Sequence, residues 1–344
     1  MKDNRVETKI IYNPTSEDIM AAAHVIREGG LVAFPTETVY GLGASALSAE
    51  AAEKIYRAKG RPSDNPLIIH LARAEDAALY AEISPAYEKL SVFMPGPLTV
   101  ILNKRDSIPA SVTGGLSTVA VRVPSHPVAQ ALIKAAGVPI AAPSANRSGK
   151  PSCTAVEHVI DDMAGKIDMI LDGGESDFGL ESTILLPYGE RSVKVLRPGA
   201  ITVEMLRLAG FEVSLDKAVT ERLAEGEAPL APGMKYRHYA PEAQVILLDG
   251  GETDVLSYMK AHKNQDTAFI LYDEHLSEFQ DSIYRSIGKR GDTASYAHKL
   301  FSVLRALDSD KIRVIYAPMP EKDDIGLALY NRLLKAAGYT ILTV

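Results

Sequence analysis

The sequence predicts an α/β protein in two parts: a larger domain on a sheet of mixed strand direction, then a smaller domain on a parallel sheet. Three observations predict it. Short apolar runs alternate with helical segments through most of the 344 residues, as layered α/β folds require. In residues 1–214 some of these runs follow one another through short connections while others are separated by helices, which mixes strand directions. In residues 244–344 the runs are spaced by helical segments, the alternation of a Rossmann-like sheet.

SEDIMAAAHVIREGG reads as a helix capped by Ser16 and closed by Gly29-Gly30, with LVAFP as the buried strand after it. VAFPTETVYGLGA, residues 32–44, carries that strand into a loop whose glycines, Gly41 and Gly43, suit a tight turn. LSAEAAEKIYRAKG is a second helix with Ala51, Ala52, Ile55 and Ala58 at helical spacing, and PLIIHLA is a strand. SPAYEKLSVFM is a helix, LTVILNK and STVAVRVP are strands, and HPVAQALIKAAG is a helix before VPIAAPSAN. VEHVIDDMAGKI, MILDGG, STILLP and SVKVLRPG follow, and the domain ends with ITVEMLRLAGFEV. Residues 215–243 hold several Pro and Gly and the basic, aromatic knot Lys235-Tyr236-Arg237-His238-Tyr239, and read as a linker. VILLDG, TAFILYD, IRVIYAP and TILTV are the strands of the second domain, with DTASYAHKLFSVLRALD and GLALYNRLLKAAG as helices. No glycine fingerprint follows its first strand.

Hydrophobic content of 46% with 24% charged residues is that of a globular protein with sizeable cores. No apolar run approaches bilayer-spanning length and the N-terminus is polar, so the expected location is the cytoplasm. The single cysteine, Cys153, excludes an intrachain disulfide and a thiolate cluster, and the eight histidines form no close metal-binding pair. With 44 acidic against 37 basic residues the net charge is −7, which argues against bulk binding to a nucleic-acid backbone.

The residues that carry chemistry sit where strands end. In KGRPSDNPLIIH, Lys59 and Arg61 flank Gly60; alone they would complement a helix C-terminus. Gly41 to Ala46 fits a dinucleotide-loop variant in form, but no acidic residue ends a strand about 20 residues on, and that reading fails. PIAAPSANRSGKPS opens a strand into a loop of small donors, Ser144, Asn146, Ser148, Lys150 and Ser152, suited to phosphate or ribose oxygens. It is not a Walker A loop, since Pro151 follows Gly149-Lys150. Arg122 lies inside an apolar strand and requires an anion, either an internal carboxylate or a ligand. Arg197 ends another strand before Pro198-Gly199, and Ser182 and Thr183 begin a third. Small hydroxyls and cations at several strand ends, with no triad or paired carboxylates, describe a site that binds a polyanion and works by positioning and electrostatics.

In PTETVYGLG, KGRPSDNPLIIH, PGPLT, VAVRVPSHP, APSANRSGKPS, ESTI and LRPG, in this order, the chain resembles the YrdC-like family of L-threonylcarbamoyladenylate synthases. The family's K-x-R and distant S-x-N stand here as Lys59-Gly60-Arg61 and Ser144-Ala145-Asn146. The linker with PGMKYRHYAP and the C-terminal Rossmann-like domain resemble its longer, two-domain form.

The resemblance implies that L-threonine and bicarbonate or CO2 form a carbamate that attacks the α-phosphate of ATP, releasing pyrophosphate. The threonylcarbamoyl-AMP product would go to a separate tRNA threonylcarbamoyltransferase complex that modifies the adenosine beside the anticodon, with direct tRNA binding left open. By the same resemblance Lys59, Arg61 and Asn65 hold the triphosphate with Mg²⁺, and Ser144, Asn146 and Ser152 bind nucleotide from the opposite loop. Thr118 and Arg197 match positions that contact ATP; Thr38, His70, Arg122, Ala142 and Ser182 match the L-threonine pocket. The linker, with Arg237 and His238, would fold over the site as a lid. Two other readings stand beside this one. An RNA-binding module is disfavoured by the net charge of −7, and a carbamoyl phosphate-dependent transferase predicts zinc motifs and an acylphosphatase-like domain that this sequence does not carry.

Overall fold

The computed structural model describes residues 6–222, 231–232, 239–308 and 311–344. In chain order the first part comprises β1 (Lys9–Tyr12), α1 (Ser16–Arg27), β2 (Val32–Phe34), β3 (Gly41–Ser45), α2 (Ala49–Lys59), β4 (Ile68–His70), α3 (Pro85–Leu90), β5 (Leu98–Asn103) and α4 (Ala110–Thr113). It continues with β6 (Thr118–Arg122), α5 (Pro127–Ala136), β7 (Ile140–Ala141), α6 (Val156–Met163), β8 (Met169–Asp172), β9 (Thr183–Pro187), β10 (Ser192–Arg197), α7 (Val203–Leu208) and β11 (Glu212–Leu215). These strands form one 11-stranded sheet in the order β1-β8-β2-β3-β7-β4-β6-β5-β9-β10-β11. Its directions are mixed, as expected: β4–β6 and β5–β9 are parallel, whereas β5–β6 and β9–β10 are antiparallel.

The second part runs through β12 (Gln244–Asp249), α8 (Glu252–Ala261), β13 (Thr267–Leu271), β14 (Ile283–Ser286), α9 (Thr293–Leu307), β15 (Val314–Pro318), α10 (Gly326–Ala336) and β16 (Ile341–Thr343). All its pairings are parallel, in the order β14-β13-β15-β12-β16. The apolar faces of α9 and α10 pack on one side of this sheet, and Val255 and Met259 of α8 on the other. The first of these cores also takes in Val39 and Leu180, so the two sheets share buried apolar surface. Among the described residues no helix is long and apolar enough to cross a membrane.

Several local expectations change. The cap of α1 is Thr15, not Ser16: its side chain accepts from Asp18 N while the Asp18 carboxylate accepts from Thr15 N, a reciprocal box that a cap at Ser16 would not complete. Gly41 and Gly43 are not a turn but lie in β3, paired antiparallel with β2. A Cβ on Gly43 would stand 2.7 Å from Phe34 Cε1 and 2.8 Å from Ile140 Cγ2, so glycine there makes room for the Phe34 ring. The helix expected over SPAYEKLSVFM ends at Leu90 and tightens into a 3₁₀ turn. The edge strands β1 and β14 carried too little apolar sequence to be expected; each has exposed residues at alternate or terminal positions.

Candidate active site

Strand register builds the site. His70 at the end of β4 pairs with Arg122 at the end of β6, and Arg122 pairs in turn with Thr99 of β5. Thr99 pairs with Ile184 of β9, whose preceding residue pair is Ser182-Thr183. Residues distant in sequence therefore stand at one level of one sheet, above a small apolar floor of Ile68, Ile101, Ala120, Ile184 and Leu196. A cavity of about 50 Å³ opens there, lined by His70, Arg122, Ala142, Ser144, Ser182 and Arg197. Arg61 and Glu181 also line it, as do Pro232 and Tyr239 from the expected linker.

Lys59, Arg61 and Arg197 stand around this region beside Arg122. Helix α2 ends in a left-handed Gly60, so the helix-end reading of Lys59 and Arg61 is correct locally and also delivers both side chains inward. Lys59 is 4% exposed, and its ammonium donates to the carbonyls of Ser144, at 2.5 Å, and Asn146. Burial, then the neighbouring Arg61, brings the Lys59 amine down to about 7. Arg61 donates from Nε to Asn65 O at 3.2 Å and from Nη2 to Pro66 O at 3.0 Å, and burial lowers it to about 10. Arg197 donates from Nε to Ser182 O at 3.0 Å and from Nη2 to Ser182 Oγ at 3.2 Å. Each guanidinium is thus oriented by fixed carbonyl and hydroxyl oxygens, not by a carboxylate bonded directly to it.

Arg122 has the internal partner that its position in an apolar strand required. Its Nη2 donates to Glu37 Oε1 at 2.7 Å, and Ser125 N donates to the other Glu37 oxygen. Its Nε is buried and has no hydrogen-bond partner among the described residues. His70 beside it is neutral, since burial and then Arg122 push the imidazole down to about 3. The Ser182 hydroxyl shares a hydrogen bond of 2.7 Å with Thr99.

Other expected residues serve the walls. Asn146 donates to the carbonyls of Arg147 and Lys150 and so holds the loop after β7 in shape, while Ser144 Oγ donates to Asn146 Oδ1 at 2.5 Å. Ser152 donates to Glu181. Thr38 is fully buried and hydrogen-bonded to Thr36, and it is Thr36 that lines the cavity. Asn65 lies beneath Arg61 with its Oδ1 unpartnered among the described residues. Thr118 starts β6, four residues and about 13 Å along the strand from Arg122, outside the cavity lining. Arg237 and His238 lie outside the described residues.

Sequence reading missed the support behind the site. Arg332 of α10 is 0% exposed; it donates to Glu181 Oε2 at 2.8 Å, to Glu181 O at 3.2 Å and to Pro198 O at 2.8 Å. Burial acts to raise the Glu181 carboxyl, but Arg332, Arg197 and the Ser152 hydroxyl outweigh it and hold the group below its usual value. Arg305 of α9 donates to Pro151 O, at 2.6 Å from Nη2, and to Asp162 Oδ2 at 2.7 Å, bracing the loop that carries Ser152. Tyr239 is stacked on Phe301 at 5.3 Å with the Arg332 guanidinium over its ring, and is hydrogen-bonded to Arg197. One signal was legible: Leu329, Arg332, Leu333 and Ala336 share one helical stripe, so an arginine sits on an otherwise apolar face.

An α/β protein whose strand ends converge buried cations and hydroxyls on a small cavity is of the class whose fixed positive charge suits an anionic ligand. A Sua5–YciO–YrdC family model, described as Telomere recombination, matches residues 24–199, and one described as Threonylcarbamoyl-AMP synthase, C-terminal domain, matches residues 201–338. The chain belongs to this family, in its long two-domain form. It is 42% identical to a threonylcarbamoyl-AMP synthase of Bacillus subtilis, over 94% of both chains. It is 45% identical to one of Pyrococcus abyssi, over 95% of this chain and 96% of that one. The crystal structure of P. abyssi Sua5 complexed with L-threonine superposes with a TM-score of 0.88 at 41% identity, covering 98% of this chain and 99% of the other.

Proposed function

We propose that the chain synthesises L-threonylcarbamoyl-AMP from L-threonine, bicarbonate or CO2 and ATP, with release of pyrophosphate, for threonylcarbamoyl modification of the tRNA adenosine next to the anticodon. The observation that carries this reading is the near full-length likeness to synthases of that name, at 42% and 45% identity, in a chain whose cavity is ringed by cations.

The amino group of L-threonine adds to CO2 to give a carbamate. A carbamate oxygen attacks the α-phosphorus, the bond to the bridging oxygen breaks, and pyrophosphate leaves. Lys59, Arg61 and Arg197 stabilise the charge that develops on the α-phosphate and the leaving group, so no protein nucleophile is needed. Ser144, Asn146 and Ser152 shape the nucleotide loop, with Asn65 and Thr118 further from the cavity. Arg122, with its unpartnered Nε, receives the threonine carboxylate beside Thr38, His70, Ser182 and the Ala142 backbone. His70, held neutral by burial and by Arg122, leaves Arg122 as the cation for that carboxylate.

Mg²⁺ would come with ATP and would neutralise charge on the triphosphate that Lys59, Arg61 and Asn65 hold. The donors around the cavity suit anions; among the described residues no three His, Cys, Asp or Glu side chains come together to hold a metal. The linker closes over the labile adenylate and excludes water. The product passes to a separate tRNA threonylcarbamoyltransferase complex.

The test is pyrophosphate release from MgATP with L-threonine and bicarbonate supplied or withheld singly and L-serine as control. Release that needs both and prefers threonine supports the reading; release indifferent to threonine overturns it.

A further inference from the structure

The second domain holds a cavity of about 130 Å³ at the carboxyl ends of β12, β13 and β15. In open parallel sheets ligands bind where adjacent strands send their connections in opposite directions. Here β15 and β12 are neighbours; the chain leaves β12 towards β13 on one side and leaves β15 towards β16 on the other. Accordingly α8 and α10 lie on opposite faces of the sheet, and the cavity lies between them. A single water needs only about 10–15 Å³ on this measure, so the space accommodates a ring.

Its chemistry is selective. Val255, Leu256 and Leu329 give apolar walls, and Met259, Met319 and Tyr272 add polarisable ones. The rings of Tyr272 and Tyr296 meet edge to face, 6.2 Å apart at 88°. Thioethers and tyrosine rings favour an aromatic occupant. Tyr296, from α9, is 1% exposed and lines the cavity, yet its hydroxyl has no hydrogen-bond partner among the described residues. Such a group in an apolar site carries an unmet desolvation cost that a ligand's polar atom would relieve. At the rim Glu252 is bonded by His275 at 2.8 Å and by Arg290, and Glu321 adds a second carboxylate. That balance, without a glycine fingerprint, does not suit a phosphate.

We propose that this cavity binds a neutral aromatic ring compound of nucleobase or indole size, with one polar atom bonded to the Tyr296 hydroxyl and no phosphate ester. The test uses the full chain with ¹³C-methyl methionine, in which Met259 and Met319 are identified among the nine methionines by Met→Leu substitution. Indole, adenine and AMP are titrated separately. Saturable shifts of both methyls with indole or adenine, and weaker or no shifts with AMP, support the site; the ring that saturates first distinguishes an amino-acid-like from a nucleobase source. Tyr296→Phe keeps the ring packing and should weaken binding about three- to tenfold, the worth of one hydrogen bond. No shift with either ring, AMP binding as tightly as adenine, or unchanged affinity in Tyr296→Phe overturns the proposal.

Discussion

Lys59 donates to the backbone carbonyl of Ser144 at 2.5 Å, tying the end of α2 to the loop after β7. Burial brings this amine from 10.5 to about 7. Between those values the unfolded chain holds a proton that the folded chain has released. The contribution of Lys59 to stability therefore rises with pH through that window and is least favourable below about 7. A triphosphate beside the amine favours its charged form, so ATP binding at pH 8 should take up a proton. Titration calorimetry in buffers of different ionisation enthalpy measures this. Uptake should fade by pH 6 and vanish in Lys59→Met; its persistence in that variant would contradict the assignment.

Lys59→Ala and Arg61→Ala should each lower pyrophosphate release by about 100-fold or more, the scale of losing a fixed charge aimed at a developing anion. Circular dichroism should remain that of the parent. Near-normal turnover in either variant would remove it from the site.

Arg122→Gln should raise the KM for L-threonine about 10- to 100-fold, the loss of a charge-assisted hydrogen bond, with the KM for ATP nearly unchanged. An equal rise in both constants would mean that Arg122 only supports the fold through Glu37.

Arg332→Gln removes the cation bonded to the buried Glu181 carboxylate, with Arg197 still nearby, and should cost about 3 kcal/mol, read from denaturant unfolding. Adding Glu181→Gln should recover much of that loss. If the two substitutions were simply additive, the pair would not be coupled.

A chain ending at Leu215 lacks Pro232 and Tyr239 from the cavity wall and Arg332 from behind Glu181. Its pyrophosphate release should fall at least tenfold. Full activity would refute the lid.

The mixed sheet and the parallel sheet were legible because most of their strands are short apolar runs between helices or turns, β1, β3 and β14 being the exceptions. The K-x-R and S-x-N residues were legible through the family resemblance, since read locally Lys59 and Arg61 only complement a helix end. What sequence could not reveal was pairing across distance. Glu37 answers Arg122 and Glu181 answers Arg332 only because the topology brings them together. The glycines of β3 misled because a glycine pair signals a turn unless the neighbouring ring that needs the space is known.

The Glu181–Arg332 contact spans 151 positions of sequence. For heredity the two codons are coupled: a change at either alone leaves the other's buried charge without its bonded partner. A recombination that joins the first half of this gene to the second half of a distant relative's would be silent where an arginine is inherited at the matching place on the last long helix. Elsewhere the hybrid would be purged, so the two halves are expected to share a single line of descent.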